Sequence, residues 1–342
     1  ENQGGILSKL VNAINSSGSI GEEFFTRLNH GGQVTFFAPC NAAWDNDLAL
    51  NALIRDPQKF KDVLEMHLIV DDKLYVEKII KNSQIRRSLR KRAAYPTPTL
   101  NKRQNLYFNV VTVGKNRTVT VEGGGVNATV LQADLAATNG IIHVIDRVLG
   151  VPYTTILDKL ELDNMLNDTF QLGMRKGFNN NLNDTSRKFT YFVPSDKAWK
   201  EASIRMPSTR KVLFMPEYAN HATNILERHL VVSDAPYTME RMKLLSNESF
   251  QNNKFRREIE LPSIRGGPLR LYVEERFDHS LVIHWNGEKI PVSRPDVECT
   301  NGVIHIIDMP FLQESDIKIN GAPIILLTNQ VFMLAVATWL II

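Results

Sequence analysis

The sequence predicts an α+β protein built from two tandem copies of one domain. Three sequence blocks recur in the same order along the chain, which is the mark of an internal repeat. Helical and strand patterns fall into separate groups in each copy, instead of alternating strictly as in a βαβ fold. At 342 residues, with 43% hydrophobic and 23% charged content, the chain is long enough for two domains with separate cores.

The repeated blocks consist of a strand that enters a turn, a helix end and a second strand. Their spacing differs by seven residues between the copies, because the first block recurs at an offset of 155 and the other two at 162. The seven extra residues lie between Trp199 and His229, where we expect a loop or a longer helix. The matching segments are 34–44 (VTFFAPCNAAW) with 189–199 (FTYFVPSDKAW), 64–70 with 226–232, and 138–146 with 300–308.

Periodicity assigns elements within each copy. Apolar residues at helical spacing predict helices at 6–14 and 222–230, and another helix that begins near residue 155. Gly123, Gly124 and Gly125 lie between two predicted strands, so we expect a flexible hairpin turn there and not a phosphate-binding loop. Runs of β-branched and aromatic residues predict strands at 35–38, 106–113, 118–121, 141–145, 269–273, 281–285 and 303–307.

The repeat boundary is predicted near residue 150, where a Gly and a Pro separate the last strand of one copy from the first helix of the next. The sequence therefore predicts one domain at 1–150 and a second at 151–315. Residues 316–342 form a C-terminal linker and a hydrophobic tail.

Taken together, the strand-turn TFFAPCNAAW, the helix end MHLIV and the strand NGIIHVID resemble the three signatures of the fasciclin domain, and the second copy matches equally well. The resemblance implies that each copy is a β-sheet wedge or sandwich decorated by α-helices. It also implies an extracellular adhesion module without a catalytic site. Cys40 departs from the pattern, because Ser or Thr usually occupies this place, as Ser195 does in the second copy; we expect a weaker helix cap at Cys40.

In family members that bind integrins, an Asp followed by an apolar residue, just before the Asn-Gly-x-Ile-His strand, is implicated in adhesion. The matching residues here are Asp296 and Val297 in the second copy and Asp134 and Leu135 in the first. Only the second copy keeps the order Pro-Asp-apolar. The resemblance therefore implies a protein partner, either the chain itself or a cell-surface receptor such as an integrin.

Overall charge argues against nucleic acid as a partner, because 40 basic residues face 37 acidic ones and the net charge is only +3. One local cluster of cations supports an alternative function, a matrix module that binds sulfated glycans of the heparan type. A solvated loop explains the same cluster equally well. Its members are Arg86, Arg87, Arg90, Lys91 and Arg92.

Residues that could carry chemistry have simpler explanations. The repeated pairs His67 with His143 and His229 with His305 lie in apolar runs without a matching ligand cluster, which favours buried histidines over metal ligands. We therefore expect no cofactor and no enzymatic activity. The only two cysteines in the sequence, Cys40 and Cys299, are not matched between the copies; they either form a disulfide or are both free.

Two further features indicate the outer cell surface. The small residues at 320–322, a spacer and a terminal apolar run of twelve residues, 331–342, predict a glycolipid (GPI) anchor attached near Asn320, with a single membrane-spanning segment as the alternative. Six Asn-x-Ser/Thr sequons predict N-glycosylation and hence the secretory pathway. They are Asn15, Asn116, Asn127, Asn167, Asn183 and Asn247.

Overall fold

Each copy of the repeat folds around one sheet of seven strands. The computed structural model describes residues 5–29, 31–45, 48–88, 96–101, 104–113, 116–252, 257–264 and 267–317. Within these ranges the two sheets have the same strand order. The first strand of each copy pairs in parallel with the last strand and antiparallel with the short strand that follows the repeated helix end.

In the first domain, the sheet order is β2-β1-β7-β6-β5-β4-β3. The strands are β1 (Val34–Pro39), β2 (Leu68–Val70), β3 (Thr97–Pro98), β4 (Asn105–Val113), β5 (Asn116–Gly123), β6 (Val126–Ala136) and β7 (Gly140–Ile145). The helices are α1 (Ser8–Ser16), α2 (Ser19–Leu28), α3 (Leu48–Arg55), α4 (Pro57–Met66) and α5 (Val76–Ser88).

In the second domain, the sheet order is β10-β11-β12-β13-β14-β8-β9. The strands are β8 (Lys188–Pro194), β9 (Leu230–Ser233), β10 (Ile259–Leu261), β11 (Leu269–Glu275), β12 (Leu281–Trp285), β13 (Glu288–Cys299) and β14 (Gly302–Ile307). The helices are α6 (Ile156–Leu162), α7 (Asn167–Met174), α8 (Asp196–Arg205), α9 (Pro207–Leu213), α10 (Ala219–Arg228) and α11 (Met239–Asn252).

The first strand of each copy is the centre of its domain. All six residues of β1 are buried, because the strand has a packed core on each face of the sheet. Phe36 points into the core formed with α1, α2 and α4, whereas Phe37 points into the core formed with α5, β4 and β5. This explains why the strand is apolar except for Thr35, whose hydroxyl is hydrogen-bonded, and does not alternate between apolar and polar residues. The α+β fold class predicted from the repeat is confirmed.

The two longest strands of the second half of each domain, β6 and β13, are absent from the predicted elements. Both are interrupted by register shifts, between Val130 and Leu135 in β6 and between Val292 and Val297 in β13. A β-bulge breaks the two-residue alternation on which strand prediction depends. The polar, charged composition of β13 conceals it further.

The seven extra residues of the second copy lie within a region where the two domains differ in helical structure. After β8, the Ser195 side chain accepts a hydrogen bond from the backbone N–H of Ala198 at 3.1 Å and caps the ten-residue helix α8. After β1, Cys40 makes no side-chain cap, and only a four-residue 3-10 turn follows, Asn41–Trp44. The weaker cap expected at Cys40 is confirmed. Of the two alternatives for the extra residues, the structure shows a part of each: α8 is longer than the turn after Cys40, and the connection between α9 and α10 is longer than that between α3 and α4 and contains the 3-10 turn Pro216–Tyr218.

Candidate functional site

The two candidate adhesion sites occupy equivalent bulges, one in each domain. Asp134 in β6 and Asp296 in β13 have positive φ angles of 56° and 51°, in the left-handed region of the backbone. Asp is one of the few residues other than glycine that tolerate this region, because its short side chain can hydrogen-bond locally. The fold thus requires a residue of this type at both positions, independently of any partner.

The carboxylates of both aspartates bind the start of a helix in their own domain. Asp134 Oδ1 accepts a hydrogen bond from the backbone N–H of Val76 at 3.0 Å, at the start of α5. Asp296 Oδ1 accepts one from Met239 at 2.9 Å, at the start of α11. A carboxylate at a helix N-terminus satisfies a free N–H and interacts favourably with the helix dipole. Each aspartate therefore ties a bulged strand to a helix.

Next to each aspartate, a buried histidine links the same elements. The backbone N–H of Asp296 donates to His305 Nδ1 at 3.2 Å, and His305 Nε2 lies 2.8 Å from the carbonyl oxygen of Tyr237. His143 repeats this arrangement in the first domain. The backbone N–H of Asp134 donates to His143 Nδ1 at 3.3 Å, and His143 Nε2 lies 2.8 Å from the carbonyl oxygen of Leu74. Since a carbonyl only accepts, Nε2 carries the proton and both rings are neutral. Burial lowers the pKa of both histidines.

The second pair of repeated histidines is also fully engaged with the backbone. His67 Nδ1 lies 2.7 Å from the Val63 carbonyl, and His67 Nε2 accepts from the Leu149 N–H at 3.0 Å. His229 makes the same two contacts in the second domain. Burial lowers the pKa of His67 to about 4 and that of His229 to about 3. In the described residues, no group of three or more His, Cys, Asp or Glu side chains has a metal-binding arrangement.

Exposure at the candidate adhesion sites differs from what the sequence motif suggests. Val297 is only 3% exposed and packs in the helical core of the second domain. The Asp296 side chain is 18% exposed. Leu135, in the copy with the poorer motif, is 39% exposed. The order Pro-Asp-apolar therefore marks a bulge, and an adhesive role for these four residues stays a prediction.

Other predicted sites fall partly outside the described residues. Arg90, Lys91 and Arg92 lie outside them, and the side chains of Arg86 and Arg87 at the end of α5 do as well. Glycan binding by this cluster therefore stays a prediction. Asn320 and the hydrophobic tail also lie outside the described part of the chain.

Five of the six sequons have exposed asparagines, and the side chain of the sixth, Asn116, lies outside the described residues. Exposure is what an acceptor asparagine needs, so these positions are open to glycosylation, which stays a prediction. The five exposed positions are Asn15, Asn127, Asn167, Asn183 and Asn247.

The two cysteines are both free and buried, in separate domains. Of the two alternatives that the sequence leaves open, the structure contains the free thiols. Burial raises the pKa of Cys299 to about 12, so that its thiol is not ionised at neutral pH. An un-ionised, buried thiol is a poor nucleophile.

The junction between the domains is a charged site that sequence reasoning misses. Arg294 of β13 pairs with Glu122 of β5 and, at 2.8 Å, with Asp163 at the end of α6. Lys159 of α6 also pairs with Glu122, at 3.1 Å. All four side chains are at most 12% exposed. Burial raises the pKa of Asp163, but the two cations outweigh this effect and hold the pKa below its ordinary value.

The charges at the junction balance only when both domains are present. The second domain contributes two cations, Lys159 and Arg294, and one anion, Asp163, whereas the first domain contributes the anion Glu122. A buried cation without a partner is costly, so Glu122 favours the arrangement in which the two domains pack together. The sequence offers little signal for this cluster, because its four members are spread over 173 positions, from 122 to 294.

The glycine turn of the first domain is part of this junction. Gly124 and Gly125 join β5 to β6 with φ angles of 56° and 81°, and both are buried. A Cβ atom on Gly125 would lie 2.1 Å from the carbonyl oxygen of Glu298. The hairpin turn is therefore present, but the expectation of a flexible turn is wrong, because the second domain packs directly on it.

No helix within the described residues combines the length and apolar composition needed to cross a bilayer.

Comparison with known proteins agrees with this architecture. The fasciclin domain family matches residues 6–152 and 164–313. Fasciclin-1 of Drosophila melanogaster is 43% identical over 345 aligned residues, which cover 99% of this chain and 50% of that protein. Fasciclin-1 of Schistocerca americana is 44% identical over 322 aligned residues, which cover 94% of this chain and 45% of that protein. The chain thus spans about half the length of these curated relatives.

A solved structure supports the same conclusion. It is the FAS1 domain pair from the insect cell adhesion molecule fasciclin I, which is 45% identical and superposes with a TM-score of 0.80 over 92% of this chain and 99% of that one. The family match covers both sheets and most of the chain. The chain belongs to the fasciclin-domain family, as a tandem pair of its domains.

Proposed function

We propose that the chain is an extracellular cell-surface adhesion protein whose two domains bind a protein partner, either a second copy of the chain or a receptor such as an integrin. The observation that carries the proposal is the 45% identity to a domain pair from an insect cell adhesion molecule, over nearly all of both chains. The whole-protein function of the relatives enters as part of the proposal, because the chain covers only about half of their length.

The chemistry of the described residues fits binding better than catalysis. The repeated histidines are neutral and use their ring nitrogens within the fold. The Cys299 thiol is buried and un-ionised. The charged junction presents two domains in one orientation, which reduces the conformational entropy lost on binding. Many copies on apposed membranes would add avidity to weak single contacts.

Beads coated with the purified domain pair test this proposal. We expect them to cluster by themselves if the partner is a second copy, and to bind receptor-bearing cells if it is a receptor. Beads coated with the same protein after heat unfolding serve as the control. If neither clustering nor cell binding exceeds this control, the adhesion proposal is wrong.

Asp296→Asn then locates the contact. Asparagine keeps an oxygen that accepts the Met239 N–H and tolerates a positive φ angle, so that it removes the charge while it preserves the bulge. If Asp296 contacts the partner, we expect binding to fall about tenfold, as for an interface residue worth more than 1 kcal/mol. The matched variant Asp134→Asn makes the same change in the first domain. Full binding by both variants would place the contact elsewhere.

The proposal includes attachment to the outer leaflet through a glycolipid near Asn320. It is supported by the small residues at 320–322 and the apolar run at 331–342. We expect a phosphatidylinositol-specific phospholipase to release the protein from expressing cells into the medium. A transmembrane-anchored protein on the same cells is the control. Retention after treatment would favour a single membrane-spanning segment instead.

A further inference from the structure

One carboxyl group at the domain junction, that of Glu298, has no ionic partner within the described residues. Its carboxyl oxygen Oε1 accepts a hydrogen bond from Gln104 Nε2 of the first domain at 3.2 Å. Its backbone packs against the Gly125 turn. The corresponding residue of the first domain is Ala136, which pairs with Ile141 as Glu298 pairs with Val303. The carboxyl therefore belongs to the junction and not to the repeated fold.

The oxygen atom of the Gln104 amide indicates whether the Glu298 carboxyl is protonated. Gln104 Oε1 is buried and has no hydrogen-bond partner among the described residues. An ionised Glu298 offers only acceptors, whereas a protonated one also carries an O–H donor. Since a buried amide oxygen without a donor is costly, the protonated form suits this site better. An acid and an amide can then form two hydrogen bonds side by side.

The charges that face Glu298 do not reverse this preference. Burial is the largest effect and raises the pKa of Glu298 to about 7, and Asp296 on the same strand adds to it. The Gln104 donor and Lys59 at the start of α4 act in the opposite direction. Lys59 is itself exposed, and its Nζ forms an ion pair with Asp56 Oδ2 at 3.4 Å. The nearby cluster of Glu122, Lys159, Asp163 and Arg294 is neutral in sum.

We propose that the junction is a proton-sensitive joint, in which protonated Glu298 pairs with Gln104 and holds the two domains together, and ionisation of Glu298 loosens them. This inference does not depend on the adhesion proposal. It assigns to one carboxyl the control of how rigidly the domain pair is held.

The direction of the pH dependence follows from linkage. In an open junction Glu298 reaches water and titrates near its ordinary value of 4.5, whereas in the closed junction its pKa is about 7. Below pH 4.5 both forms are protonated and the contribution of Glu298 to closure is complete. It is lost as the pH rises from 4.5 to about 7. Between pH 5 and pH 8 the closed-to-open ratio is expected to fall on the order of 50-fold.

Distances between spin labels on the two domains measure this ratio. Labels are attached to Asn51→Cys on α3 and Lys200→Cys on α8, both exposed positions, after Cys40→Ser and Cys299→Ala remove the native thiols. Pulsed electron paramagnetic resonance at pH 5, 6, 7 and 8 then gives the distance distribution. We expect a narrow distribution at pH 5 and a growing displaced component at pH 8.

Glu298→Gln is the decisive variant, because glutamine stays neutral at every pH and can still pair with Gln104. We expect its distribution to stay narrow from pH 5 to pH 8. Glu161→Gln on α6 removes an exposed carboxylate instead and should behave like the unmodified chain. If the unmodified chain shows no pH dependence, or if Glu298→Gln keeps the same dependence, the joint does not work through Glu298. Thermal unfolding at pH 5 identifies a variant that has simply failed to fold.

Discussion

Replacing Glu122 with Gln is expected to lower the free energy of unfolding by about 3–5 kcal/mol, the usual cost of breaking a buried ion pair from one side. The substitution leaves two buried cations with fewer partners, because Arg294 keeps its ion pair with Asp163 but Lys159 keeps only its hydrogen bond to the carbonyl oxygen of Gly125. Urea unfolding followed by circular dichroism measures the loss. We also expect the two domains to unfold in separate transitions, because the balancing charge of the first domain is gone.

The double variant Glu122→Leu/Arg294→Met is the matched control. It removes one cation and one anion together, so that the remaining charges of Lys159 and Asp163 sum to zero, and Lys159 loses its ion pair with Glu122 as it does in the single variant. Apolar replacements of a whole buried ion pair are often neutral or stabilising, so we expect the double variant to be more stable than Glu122→Gln. A loss below about 1 kcal/mol for the single variant would show that the junction is not held by these charges.

Trp199→Ala is expected to lower the free energy of unfolding by about 3–5 kcal/mol, the range found when large aromatic residues in cores are replaced by alanine. Trp199 is completely buried, packs edge-to-face with Phe214 at 5.3 Å and donates from Nε1 to Thr169 Oγ1 at 2.8 Å. Thr169 in turn donates to the carbonyl of Pro194 at the end of β8. The substitution therefore removes apolar volume and leaves a buried hydroxyl with one partner fewer.

Trp44→Ala makes the same change at the equivalent position of the first domain. Trp44 is only half-buried, and its Nε1 has no partner within the described residues. We expect Trp44→Ala to lose less than half as much free energy of unfolding as Trp199→Ala, with both variants measured by urea unfolding. Trp199→Phe should fall between the two, since it keeps most of the apolar volume and loses the hydrogen bond. Equal losses at Trp44 and Trp199 would contradict the asymmetry between the domains.

Much of the fold was predictable because the same sequence pattern occurs in both copies of the repeat. The repeated Pro-Trp turn and the Asn-Gly-x-Ile-His strand identify the central parallel pair of each sheet, since both strands are mostly apolar and contrast with their surroundings. The bulged strands β6 and β13 were not predictable in this way. Their hydrogen bonds depend on residues far away in sequence, such as Val76 for Asp134, and not on local periodicity.

The candidate sites likewise differ in whether local sequence or contacts between distant residues determine them. The sequence correctly indicates that the histidines are structural, because their apolar surroundings can be read locally. It does not reveal that Val297 is buried, because the helices that cover it come from other parts of the second copy. Nor does it reveal the pairing of Glu122 with Arg294, because the charge of a side chain is visible in the sequence and its distance from another charge is not.

By itself, the sequence determined that this chain is a duplicated α+β domain, because repetition, periodicity and residue type are local properties of a linear pattern, and three repeated blocks carry its resemblance to the fasciclin family. Only the tertiary structure decided how the two copies are joined, with a buried glycine turn, four balanced charges and the carboxyl of Glu298 at one interface. The physical reason is that burial and electrostatic interaction depend on distances in space, which only the folded chain defines.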